Sequence, residues 1–166
     1  LFIFGRILYT WKSSLSQAKR FVHIQSYRWI LAADSWVFLN LFLAILMSVP
    51  AINVYTHGTH ITVAHSMGAT IGINTFLLFA FVTDLQPGLA KPASRRFTFC
   101  YWLANLSLLI FWLSLIVSGI LRSHWQMSEH RISFSKMMIQ LKPFFVLFFS
   151  SGFLLIISLL LLIIPL

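Results

Sequence analysis

Acidic side chains are almost missing from this sequence: Asp34, Asp84 and Glu129 are the only three in 166 residues. Charged residues of both signs make up 9% of the chain and hydrophobic ones 59%, where an ordinary soluble domain carries about 25% charged residues. A soluble fold of this length would have too few polar side chains to cover its outside, so the bilayer is the expected solvent. Cysteine occurs once, as Cys100 in an apolar stretch, which excludes a disulfide framework or a zinc site within the chain and leaves a buried structural thiol. No signal peptide is evident. The chain opens Leu1-Phe2-Ile3 without Met, and Leu1 to Thr10 is too short to cross a membrane; it reads as the tail of a helix whose start is missing from a processed, split or incomplete polypeptide.

What is there in quantity is apolar length. A hydrocarbon core of ~30 Å takes about 20 helical residues to cross. Residues 97–121 and 144–166 contain no Asp, Glu, Lys or Arg, and basic residues or proline precede each of them. The charge-free stretch from Ser35 to Thr83 is too long for one crossing and is broken by Pro50, Asn53 and Thr56-His57-Gly58-Thr59-His60, so it folds as two. The expectation is an all-α, polytopic membrane helix bundle forming one domain over 1–166, with four full spans at about 29–52, 60–82, 97–121 and 144–166 plus the end of a fifth. Trp29, Trp36, Tyr55, Trp102 and Trp125 fall near span ends and are expected to anchor at the headgroups. The loop Ser123 to Gln140 is expected to lie on the membrane or pack under a partner.

The net charge of +9 does not point to nucleic acid, because the Lys and Arg residues sit between the apolar runs rather than along one face. Lys12, Lys19, Arg20, Arg28, Lys91, Arg95 and Arg96 flank one side of the bundle; Arg122, Arg131, Lys136 and Lys142 flank the other. The more basic side is expected to face the cytoplasm, which places the C-terminus there too.

Chemistry concentrates in Thr56-His57-Gly58-Thr59-His60-Ile61-Thr62-Val63-Ala64-His65-Ser66-Met67-Gly68-Ala69-Thr70-Ile71-Gly72, which holds three of the six histidines. His57 and His60 fall at the start of the second span, and His65 lies five residues further in, ~8 Å deeper. An imidazole at that depth needs a partner, either a metal or haem iron or an interhelical hydrogen bond. Ala64, Gly68 and Gly72 form a strip of minimal side chains that would admit another helix or a flat macrocycle. Met67 points about 200° away from His65, so the two cannot share one iron but could hold two; a thioether is an accepted haem ligand. His57, Thr59 and His60 are candidates either for haem propionates or for an interfacial turn in which Thr59 caps the helix. Ser48 and Asn74 are polar groups in the membrane, lining a water or proton path or bonding locally. His23, His124 and His130 are expected in loops, and Asp34 and Asp84 at span ends.

The segment from Thr56 to Gly72 resembles the tenth transmembrane helix of the haem-copper oxidase superfamily, specifically the large subunit of bacterial nitric oxide reductases. His-Gly-Thr at 57 to 59, followed six residues later by His65, is similar to the start of that helix, and the likeness covers about 30 residues from Pro50 to Leu78. The resemblance implies that the spans are the ninth to twelfth of a twelve-helix subunit in the bacterial inner (cytoplasmic) membrane. His65 matches the first His of the family's His-x-His pair, which binds the high-spin haem b. Met67 stands where the second, the low-spin haem ligand, is usual. The implied reaction is reduction of two NO to N2O and water. The non-haem iron would be bound by residues outside this chain, and electrons would come from an electron-donor subunit, cytochrome c or quinol. Two alternatives stay open: a fragment of an oxygen-reducing oxidase with copper as second metal, and a haem-binding or structural subunit in which His65 only joins helices.

Overall fold

A computed structural model of the chain describes residues 24–85, 95–129 and 132–163. The expected helix tail at 1–10, the cations Lys12, Lys19, Arg20, Lys91 and Arg131, and His23 and His130 lie outside the described residues. The described residues form helices only: α1 (Ile24–Ser48), α2 (Pro50–Thr56), α3 (His60–Met67), a π-helical segment (Gly68–Thr75), α4 (Phe76–Leu85), α5 (Arg95–Met127) and α6 (Phe134–Ile163). The segment α3–π–α4 runs as one rod. Four rods, Gln25–Ser48, His60–Leu85, Arg95–Met127 and Phe134–Ile163, are long and apolar enough to cross a membrane.

The helix α5 is the centre of the bundle. It holds α6 along its length and α3 near one end, while α1 packs on the π segment and α4. The buried face of α1 repeats at helical spacing through Trp29, Ala32, Ala33, Trp36, Asn40 and Leu43. Two expected headgroup anchors are therefore core residues. Trp29 is fully buried among Phe76, Phe79, Phe97 and Tyr101, at ring separations of 5.0, 5.2, 6.3 and 4.9 Å. Trp36 stands edge-on to Trp112 at 5.7 Å. The reason is rotational: both fall on the stripe that faces α4 and α5, whereas Trp102 and Tyr55 fall on outward faces and are exposed.

Several boundaries differ from the expected ones. Helix α1 stops at Ser48, and Pro50 opens the separate helix α2 at a first-turn position, where its missing N–H costs nothing. Helix α6 begins at Phe134, ten residues before the expected start, and continues through Pro143. Met137 and Leu141, one turn apart, are buried against α5, and this contact extends the helix outward. Much of the stretch 123–140 expected as a loop is therefore helical, and Trp125 Nε1 at the end of α5 donates to the Ile132 carbonyl just before α6 at 2.8 Å. At the other end of the bundle Arg28 Nη1 donates to Thr98 Oγ1 (3.2 Å), Tyr101 Oη donates to the Arg28 carbonyl (3.0 Å), and Arg96 Nη2 donates to the Leu161 carbonyl (2.6 Å). These bonds tie the start of α5 to α1 and to the end of α6. Cys100 is a buried free thiol on α5.

The wide π turn explains how the second rod keeps one buried face. Its buried positions Ala64, Gly68, Gly72, Phe76 and Ala80 fall four apart. On a regular α-helix each step of four overshoots the full turn by about 40°, so four steps would carry the stripe most of the way to the opposite side. The i→i+5 winding between Gly68 and Thr75 takes more residues per turn and brings it back. Thr75 Oγ1 marks that spacing by donating to the Thr70 carbonyl at 3.1 Å.

Candidate functional site

The second rod starts at a turn whose geometry follows from its sequence. Gly58 has φ +68°, a left-handed conformation suited to glycine. Thr59 Oγ1 donates to the Thr56 carbonyl (2.7 Å) and accepts from the Ile61 N–H (3.3 Å), and Thr62 Oγ1 donates to the same Thr56 carbonyl (3.2 Å). Thr59 is thus the N-cap of α3. Of the two expected roles for Thr59 the structure displays the cap, with its one hydroxyl proton donated to the Thr56 carbonyl.

From this cap the helix presents its histidines in three settings. His57 is exposed in the turn. His60 is half-buried, its ring 5.3 Å from that of Phe145 on α6, with Nδ1 buried and without a hydrogen-bond partner. His65 is half-buried one turn deeper, and its Nδ1 is likewise buried and unpartnered. Met67 packs against the apolar core of the bundle. Ser66, Thr70 and Asn74 are exposed on the same rod, an unusual surface for a helix meant to face lipid. Asn74 does not point into the bundle, and Ser48, also exposed, donates to the Ile45 carbonyl at 2.7 Å.

The strip of small residues is used for helix packing. A Cβ on Gly72 would lie 2.5 Å from Trp36 Cγ, and one on Gly68 would lie 2.7 Å from Asn40 Oδ1 and 3.2 Å from Trp112 Nε1. The close approach at Gly68 and Gly72 is therefore by side chains of α1 and α5, which occupy the surface a macrocycle would need there. A haem carried by His65 would have to lie along another face of the rod.

One ionisable group escaped the sequence reading. Asp34 lies well inside the rod Gln25–Ser48 rather than at its end. It is half-buried, with Oδ2 unpartnered. The signal was Arg28, which is itself helical and whose long side chain carries its charge to Thr98 at the end of the bundle, so it does not mark the limit of the helix. Among the described residues no three His, Cys, Asp or Glu side chains converge on a common point. His124 is exposed near the opposite end of the bundle from Arg28, where it lines a largely apolar pocket of ≈ 630 Å³ with Leu43, Ile61, Ile116 and Ser123.

Comparison with curated proteins gave no match. A family model described as cytochrome c and quinol oxidase polypeptide I matches residues 3–154, nearly the whole chain. Members of that family bind haem and metals, act as oxidoreductases and work in multi-subunit membrane complexes. With four crossings, a histidine inside the second and a match of this extent, the chain belongs to the cytochrome c and quinol oxidase polypeptide I family, the subunit I type of the haem-copper oxidases.

Proposed function

We propose that the chain forms part of a membrane nitric oxide reductase and that His65 is the axial ligand of its high-spin haem b. The observation that carries this reading is the setting of His65: an imidazole inside the span, half-buried, with no protein partner for Nδ1. A polar ring inside a bilayer is costly without a partner, and iron on Nε2 would supply one; Nδ1, enclosed by the protein, is not the ligating atom. The residues present fit the group on this count. Of the two candidate positions His65 has the room, since the Met67 thioether is taken up by core packing.

The haem would supply the redox centre for 2 NO + 2 e⁻ + 2 H⁺ → N2O + H2O. The chain's own part is positional. Thr59 fixes the first turn of α3, the Trp36–Gly72 and Asn40–Gly68 contacts fix the rotation of the rod, and His65 is thereby held at one depth and one angle. The non-haem iron is assigned to residues outside this chain, and electron delivery to a donor subunit, cytochrome c or quinol. His57 and His60 stand at the end of the rod where propionates of such a haem would lie; His57 is the freer of the two to reach them.

The family description favours a second reading, oxygen reduction with copper as the second metal. Metal analysis of the purified complex separates the two: iron without copper supports the reductase, and stoichiometric copper supports the oxidase. The site itself is tested by a pyridine haemochrome and a reduced-minus-oxidised spectrum of the complex with His65→Ala. Loss of the high-spin b signal with the low-spin signal retained is expected; unchanged spectra would overturn the assignment of His65.

A further inference from the structure

We propose that a single water molecule is bound in the middle of the bundle, accepting from Trp112 Nε1 and donating to Asn40 Oδ1 beside Gly68. Asn40 on α1 is 5% exposed and Trp112 on α5 is 7% exposed. Neither Asn40 Oδ1 nor Trp112 Nε1 has a hydrogen-bond partner within the protein. Both lie within 3.2 Å of the one point that a Gly68 Cβ would occupy. One atom accepts and the other donates, and they do not bond to each other. A water accepts a hydrogen bond from Trp112 Nε1 and donates one to Asn40 Oδ1, keeping its second O–H for a backbone carbonyl of the wide turn that begins at Gly68.

The contrast with four buried serines sharpens the point. Ser114 and Ser118 on α5 and Ser151 and Ser158 on α6 are buried too, but each hydroxyl donates to a carbonyl of its own helix. The Trp112 indole N–H and the Asn40 amide oxygen, on two different helices, have no such local recourse. Left unpaired, each would carry the full cost of its lost hydration. The amide orientation follows from the same chemistry, because Nδ2 turned toward Trp112 would set two donors against each other. Glycine at 68 is what keeps the approach open.

This site stands on the packing of three helices and does not depend on the haem reading. A density map of the intact complex, at a resolution that shows ordered water, is expected to hold a peak within about 3.2 Å of both atoms. A map with no peak there, or with Trp112 Nε1 bonded directly to Asn40 Oδ1, would overturn the proposal. Ultraviolet resonance Raman gives an independent readout of the indole N–H, with Trp112→Phe assigning its band among the six tryptophans. Gly68→Ala puts a methyl 2.7 Å from Asn40 Oδ1 and is expected to abolish the hydrogen-bonded signature of Trp112. Its persistence in that variant would mean that no water is displaced.

Discussion

Gly72→Ala should separate the first two crossings, and its cost can be worked from the contact it creates. The added methyl would sit 2.5, 2.6 and 2.9 Å from three atoms of Trp36, where carbon pairs are comfortable at about 3.5–4.0 Å. Roughly 1 Å of relief is needed. Trp36 cannot supply it by swinging away, because it is 4% exposed and stands against the Trp112 ring. The rods themselves must move, and overpacking of this kind costs about 1–3 kcal/mol. We expect about 2 kcal/mol, close to a thirtyfold shift in the folding equilibrium. Gly152→Ala is the internal control. Its methyl would approach Phe111 at 3.3 Å, and the helix-forming gain of Ala over Gly, about 0.8–1 kcal/mol, offsets the tighter fit. The assay is an SDS titration of the detergent-solubilised complex followed by near-ultraviolet circular dichroism, which reports the Trp36–Trp112 environment. If Gly72→Ala unfolds at the same SDS fraction as Gly152→Ala, the close contact of α1 with the π segment is refuted.

Three further outcomes are expected. Thr59→Ala should cost about 1 kcal/mol through the lost cap and speed hydrogen exchange at the Ile61 and Thr62 amides; unchanged exchange would mean that the cap does not hold the turn leading to His65. Trp29→Ala, at a fully buried site, should destabilise the bundle by about 3–5 kcal/mol, while Trp102→Ala at an exposed site should move the same unfolding midpoint by much less. Equal effects would return Trp29 to the membrane surface. Pro143→Ala restores an N–H inside α6 and should raise resistance to SDS by up to ~3 kcal/mol; a fall in resistance would show that proline at this position helps α6 pack on α5.

The number of crossings was legible because it depends on nothing but charge-free length, which the stretches 35–83, 97–121 and 144–166 display directly. Helix ends were less so. Arg28, Lys136 and Lys142 look like the limits of a span, yet long cationic side chains let a helix run past the hydrocarbon edge, and 33 residues of α5 reach about 50 Å. Trp29 and Trp36 were misplaced because the same ring suits a headgroup layer or a core, and only the facing of the helix decides between them. The strip at Ala64, Gly68 and Gly72 was visible as a close-approach surface, but what approaches it depends on Trp36 and Asn40, more than twenty residues away in sequence. His65 could be singled out from its depth and neighbours, whereas Asp34 could not, because Arg28 looked like the limit of the span and is in fact part of the helix.

The wide turn between Gly68 and Thr75 also has a bearing on how this sequence can change length. It works as a phase adjuster: the half of the rod that carries His65 and the half that carries Phe76 and Ala80 are each in step with their own neighbours only because the winding between them is slack. A one-residue deletion within that stretch would restore regular winding, and an ordinary index of helical quality would improve. The two halves would then fall out of step, turning either the histidine or the Phe76 side chain, fully buried against Trp29, away from its place. Local regularity and global fit thus pull in opposite directions here, and insertions or deletions should be tolerated in the turn around Gly58 before they are tolerated in this stretch.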